Sequence, residues 1–242
     1  MKPIGGSTRF GSNISFLPQQ CWRPLRAAAL TLLLVGLSVG VSAAPMTSTS
    51  KARDHVYLLR GAFNVFSLGM DEIAARLEQQ GIETSVDNYV AWPTLADEAA
   101  ADYKSGRVRT IILVGHSSGA VAVTSMAARL GQLGVPVKLA IGLDPTSEAT
   151  TSGHVDLYIN YYIANGLGEP VDKGRRFTGV LENVDVERMA NIGHFNIDKN
   201  KVLQARVISE IHAALRAAPV RGTDAATKHD SLKEGTAATA GR

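Results

Sequence analysis

The sequence predicts an α/β fold, a mostly parallel sheet with helices on both faces. Three observations predict it. Runs with strand character alternate with runs of helical period from Val56 to Leu215. Two of the strand runs, Val108–Val114 and Val137–Leu143, are apolar along most of their length, as strands covered on both faces are. The first of these leads into a glycine–serine–glycine turn, and a helical run follows at once.

The elements follow in order. Val56–Leu59 is a short apolar strand closed by Arg60-Gly61. Met70–Gln79 places Met70, Ile73, Ala74 and Leu77 on one helical face, and Gly81 ends it. Ile82–Tyr89 reads as a strand, and Thr94–Tyr103 as a helix begun by a Thr cap. After the strand Val108–Val114 come a helix over Ala120–Leu133, ending near Gly134, and the strand Val137–Leu143. Val155–Ile163 is a long strand rich in Tyr and Ile, Gly179–Val186 a last short one, and Val202–Leu215 a closing amphipathic helix. In parallel sheets of this kind the chemistry gathers at the carboxyl ends of the strands.

The two ends of the chain differ from this middle. Lys2, Arg9, Arg23 and Arg26 precede an apolar run, Ala27–Val41, that closes on small residues. This is the layout of an export signal peptide, residues 1–43 with cleavage after Ala43; an uncleaved N-terminal anchor is the alternative. Residues 44–53 are expected to be a linker, 54–218 one domain, and 219–242 a disordered tail, since the tail holds almost no large apolar residue. The formal charge of +3 belongs to the leader. Without its four basic residues, 21 Lys and Arg face 22 Asp and Glu, for a net −1. Nucleic acid is therefore not an expected partner, and no stable membrane span is expected after cleavage. Cys21 leaves with the leader, so the mature chain has neither a disulfide nor a thiol catalyst. The expected location is periplasmic or secreted.

The sharpest motif is Gly115-His116-Ser117-Ser118-Gly119, a G-x-S-x-G between a buried strand and a helix. The turn lifts the Ser117 hydroxyl above the sheet. Gly115 and Gly119 stand where a Cβ would collide with the neighbouring strand and helix. The helix start directs its free N–H groups to the reaction centre, so Ser118 N–H is one oxyanion donor. A serine nucleophile needs a base. Of the six histidines, His194 alone lies after the last strand and before the last helix; His116 sits inside the turn and is expected to point aside. The base needs an acid to hold its tautomer. Asp144, ending the strand beside the nucleophile strand, is the choice. Glu169 and Asp172 lie one strand later and only in a loop. The second oxyanion donor is assigned to Ala62, with Phe63 as alternate, in Arg60-Gly61-Ala62-Phe63-Asn64.

These residues resemble the α/β-hydrolase superfamily, and the chain is most similar to its small bacterial lipase-, esterase- or thioesterase-like members. The first-strand loop, GHSSG, LDPT and GHFNID carry the resemblance over about residues 54–218. It implies cofactor-free acyl transfer: Ser117 attacks an ester or thioester carbonyl, and water activated by His194 releases the acid. No metal or cofactor is implied, and histidines and carboxylates show no metal-binding spacing. The short stretch between Leu143 and Val155 leaves no room for a cap domain, so an open cleft is expected. Asp172–Phe177 is the expected substrate-facing loop, and Phe63, Phe66, Tyr161 and Tyr162 are candidates for an acyl groove. An acyltransferase with the same triad and a non-catalytic envelope protein of the same fold remain alternatives.

Overall fold

The computed structural model describes residues 52–217. The expected leader 1–43, nearly all of the linker 44–53, and the tail 219–242 lie outside the described residues. The element order is β1 (Arg53–Arg60), α1 (Gly69–Glu78), β2 (Glu83–Asn88), α2 (Trp92–Lys104), β3 (Val108–His116), α3 (Ser118–Gln132), β4 (Val137–Leu143), β5 (Ala149–Thr151), β6 (His154–Tyr162), β7 (Val171–Lys173), β8 (Thr178–Asp185) and α4 (Lys201–Arg216). β1 begins at Arg53, which the sequence reading left in the linker.

Among the described residues, six strands form one sheet in the order β2-β1-β3-β4-β6-β8. Every pair in it is parallel. The fold is thus α/β, as the alternation of periods predicts. Two apolar layers cover the sheet. On one face, α2 and α3 bury Ala96, Ala99, Val123 and Met126 against Leu59, Leu113 and Val137. On the other, α1 and α4 bury Ile73, Leu77, Leu203 and Val207 against Leu58, Ile112 and Ile141. Alternate residues of β1 and β3 feed opposite layers, which is why both strands read as apolar. Each fully buried Leu or Ile contributes about 1.5–3 kcal/mol.

Local chemistry sets the boundaries. Asp71 and Glu72 lie in the first turn of α1, where acidic groups meet the positive end of the helix dipole. At its far end Gly81 turns the chain at φ +78°. α2 begins at Trp92 rather than at a Thr94 cap. Pro93 fills its first turn, where a missing N–H costs nothing. A 3-10 turn over Tyr89–Ala91 leads into it, and the Asn88 side chain accepts the Val90 N–H there. Asn200 caps α4 by accepting the N–H groups of Val202 and Leu203.

After β4 the crossovers lose their helices. Residues 144–153 carry only β5, and the link from β6 to β8 carries only β7; the two short strands pair with each other in parallel. This corrects the expectation for Asp172–Phe177. Its first two residues belong to β7, with Thr150 opposite Asp172. The Lys173 ammonium lies 5.3 Å from the Phe177 ring centre. The link from β4 reaches β6 by passing directly over α3, where a Cβ on Gly131 would lie 2.6 Å from Gly153 Cα. At the open edges of the sheet, β2 carries Glu83 and Asp87 and β8 carries Glu182 and Asp185.

Gly131→Ala therefore inverts an ordinary rule. In an exposed helix this change gains about 1 kcal/mol. Here the added methyl must displace backbone, so urea unfolding should show a loss of about 1–3 kcal/mol. A gain would mean that the link does not sit on α3.

Candidate active site

The strand β3 delivers Gly115 and His116 to the carboxyl edge of the sheet, and α3 starts at Ser118. Ser117 between them has φ 59° and ψ −125°. A side chain in that region is strained by about 1–3 kcal/mol. What holds it there is backbone contact on two sides. A Cβ on Gly115 would lie 2.3 Å from Gly119 O, and one on Gly119 would lie 2.1 Å from Leu59 O. The Ser117 N–H donates to Leu143 O at 2.9 Å, tying the turn to β4 as well.

Ser117, His194 and Asp144 come together as the chain order predicts. His194 Nδ1 lies 2.7 Å from Asp144 Oδ2, and His194 Nε2 lies 3.1 Å from Ser117 Oγ. A carboxylate only accepts, so Nδ1–H donates to Asp144. Nε2 is then bare and accepts the Ser117 hydroxyl. Asp144 is fully buried. Its second oxygen accepts Ile163 N–H at 2.9 Å, and its own N–H donates to Tyr161 O at 2.8 Å, so the carboxylate is pinned to the end of β6. Glu169 and Asp172 take no part; Glu169 N–H donates to Pro145 O. Among the described residues, three other than glycine have positive φ: Ser117, Asp144 and Asn191, three residues before His194 in the same loop. Each of the three lies in a segment that carries one of the three side chains.

A cavity of about 250 Å³ opens over Ser117. Gly61, Ala62, Phe63, Ser118, Leu167 and Phe195 line it. Gly61 N–H donates to Ser67 Oγ at 2.9 Å and is not available to a substrate. Ala62 and Phe63, the two candidate donors, follow it in the lining beside Ser118. Of the proposed groove aromatics, Phe63 and Phe66 line the cavity. Tyr161 is buried on the far side beside α4, where the Arg206 guanidinium lies over its ring, and Tyr162 is not in the lining. The loop that reaches this cavity is the one that follows β6 and carries Leu167, not Asp172–Phe177. Arg175 and Arg176 are likewise absent from the lining. A larger cavity of about 730 Å³ lies at the opposite, amino-terminal ends of β3, β4 and β6, and none of the triad lines it.

Sequence reasoning missed two contributors and misplaced a third. Gly168 covers the acid, since a Cβ there would lie 1.7 Å from Asp144 Oδ1. Ser67 is a buried hydroxyl from the segment after β1. His116 does not point aside. It is buried, with Nδ1 2.8 Å from Ser67 Oγ and Nε2 2.9 Å from His194 O. The available signal was a histidine ending an apolar strand, because a buried imidazole needs partners for both nitrogens. Burial, the largest influence, holds the His116 imidazole below its ordinary range; Asp198 and the bond to His194 O pull the other way. No cluster able to hold a metal occurs among the described residues.

No family model matches the sequence, and no curated protein is significantly similar to it. Solved structures do match in shape. One, from Xanthomonas campestris pv. campestris, is assigned to the hydrolases of the alpha/beta superfamily: 15% identity, TM-score 0.41, covering 67% of this chain and 99% of that one. Another is Est1E from Butyrivibrio proteoclasticus: 13% identity, TM-score 0.43, covering 71% of this chain and 92% of that one. Likeness at this level carries nothing about chemistry, and the site stands on its own geometry.

Two outcomes follow from that geometry. Ser117→Ala keeps the strained turn while Ser117→Gly relieves it, so the glycine variant should be the more stable by about 1 kcal/mol in urea unfolding. The opposite order would mean an unstrained turn. The second concerns pH. The folded chain resists protonating His116, whereas the unfolded chain protonates it near the ordinary 6.5. Its contribution is whole above 6.5 and is lost as pH falls through the lower folded value. His55, also depressed by burial, adds to the same trend. Unfolding free energy should therefore decline below about pH 6.5. His116→Asn should flatten the decline, and an unchanged slope would remove His116 from it.

Proposed function

We propose that this chain is an exported serine hydrolase that cleaves a carboxylic ester or thioester through an acyl-enzyme on Ser117. The observation that carries this reading is His194, which bridges Ser117 Oγ at 3.1 Å and the buried Asp144 at 2.7 Å. In the first half-reaction Ser117 Oγ bonds to the carbonyl carbon as its proton passes to His194 Nε2. The carbonyl oxygen becomes an oxyanion facing the N–H groups of Ser118 and Ala62 or Phe63. Collapse breaks the bond to the leaving alkoxide or thiolate, which takes the proton from His194. Water then repeats the sequence on the acyl-enzyme, losing its proton to His194, and releases the acid and free Ser117. Asp144 keeps His194 in the accepting tautomer and steadies the transient imidazolium.

The cavity supports the substrate class. At about 250 Å³ it is small beside the roughly 300–1,000 Å³ of drug-sized sites, which favours a short acyl group. Phe63, Phe66, Leu167 and Phe195 give that group an apolar lining. The links from β4 to β6 and from β6 to β8 carry no helix to close over it, which favours an open cleft. Export rests on the sequence of residues 1–43 alone, and N-terminal sequencing of the protein recovered outside the cytoplasm tests it.

Labelling of the full chain with a fluorophosphonate, mapped by mass spectrometry, tests the chemistry. Modification of Ser117 is expected. Ser117→Ala and His194→Ala should abolish it and lower kcat on a short-chain nitrophenyl ester by on the order of 10⁴-fold or more. A folded protein that neither labels nor hydrolyses would instead be a binding protein with this fold.

A further inference from the structure

The nucleophile turn carries a second histidine that the triad does not use. Two backbone groups of fixed polarity bound the network around it, so every proton in it can be placed. At one end His194 O can only accept, so His116 carries its proton on Nε2 and donates at 2.9 Å. Nδ1 is then bare and accepts the Ser67 hydroxyl at 2.8 Å. At the other end Gly61 N–H can only donate, and Ser67 Oγ accepts it at 2.9 Å. The result is a directed chain, Gly61 N–H to Ser67, Ser67 to His116, and His116 to the carbonyl of the base itself. Both side chains in it are about 1% exposed.

The two ends of this chain are the backbone just before the candidate oxyanion donors and the carbonyl of the base. Gly61 precedes Ala62 and Phe63 and touches the nucleophile, since a Cβ on it would lie 3.0 Å from Ser117 Cβ. His194 must keep Nε2 over Ser117 Oγ. The His116 and His194 rings lie 5.2 Å apart between centres, tilted by 35°. Lys199 joins the same two segments at the rim, through Phe66 O and Phe195 O, but neither carbonyl belongs to a reacting residue.

We propose that His116 is a positioning residue. Through Ser67 it sets the loop that offers the second oxyanion donor, and through His194 O it sets the base, so that both stand in register with Ser117. This rests on the hydrolase reading above. It predicts that breaking the chain lowers the rate of reaction and leaves substrate binding nearly intact, because the displaced groups act on the transition state.

The test uses the full chain, a nitrophenyl butyrate assay and fluorophosphonate labelling rates. Ser67→Ala and His116→Asn should each lower kcat about 10- to 100-fold with KM within about twofold, and slow labelling of Ser117 in proportion. His116→Gln, which keeps a donor toward His194 O, should recover more of the base's function than His116→Asn. A merely structural role would lower the melting temperature and leave kcat within twofold in protein shown to be folded, and that result overturns the proposal. Should the variants not fold, nitrogen NMR of the unsubstituted protein with labelled histidine decides. His116 protonated on Nε2 alone at neutral pH is required, and a proton on Nδ1 overturns the proposal. Unsubstituted protein that neither hydrolyses nor labels would fail the hydrolase reading first, whereas active protein with indifferent variants would fail this proposal alone.

Discussion

The carboxyl ends of β1 and β3 and the first turn of α3 approach one another at backbone contact distance, and the remaining chemistry is arranged around that approach. It is possible only because Gly115 and Gly119 present no Cβ toward Gly119 O and Leu59 O. With the three segments this close, Ser117 cannot relax from φ 59°. The strain of one residue is held by the burial of many, since β1 and β3 are each covered by apolar layers on both faces. The backbone that carries the serine hydroxyl is therefore held in place. The acid and base are placed relative to it by links of a different kind, the hydrogen bonds from β4, β6 and the His194 loop.

Those links grade from hard to soft. Asp144 is the hard end, fully buried, bonded to the ends of β6 and covered by Gly168. His194 is softer. It sits on a loop and is located by side chains and by its own carbonyl. The gradation suits the proposed roles. An orienting acid gains from immobility, while a base must pass a proton in both directions and tolerate small shifts.

Much of this was legible in the sequence. The strands and helices followed from their periods, and β4 was read with its observed bounds. Ser117, Asp144 and His194 followed from a local motif and from chain order, because the parallel sheet turns order along the chain into order along its edge. The rest was hidden for identifiable reasons. Ser67 meets His116 across 49 residues, and a single hydroxyl in an irregular segment has no period. The covering role of Gly168 depends on how one loop lies over one carboxylate. The misassigned substrate loop arose because β7 is three residues long and pairs outside the main sheet, too short to leave a pattern. The expected start of α2 rested on Thr94 alone, whereas Pro93, a marker of a first turn, already lies inside the helix.

All pairings in the main sheet are parallel, and the three candidate catalytic side chains are far apart in the chain: 77 residues separate Ser117 from His194 and 50 separate Asp144 from it. Sheets of this kind close large loops before long-range contacts reward them, and they fold slowly. No single strand, helix or connecting loop carries both Ser117 and His194. The contact between Ser117 and His194 thus waits on the long-range step that brings the segment after β8 to the end of β3. On the proposed reading Ser117 has no base until that step is complete, so chemical competence follows folding rather than synthesis.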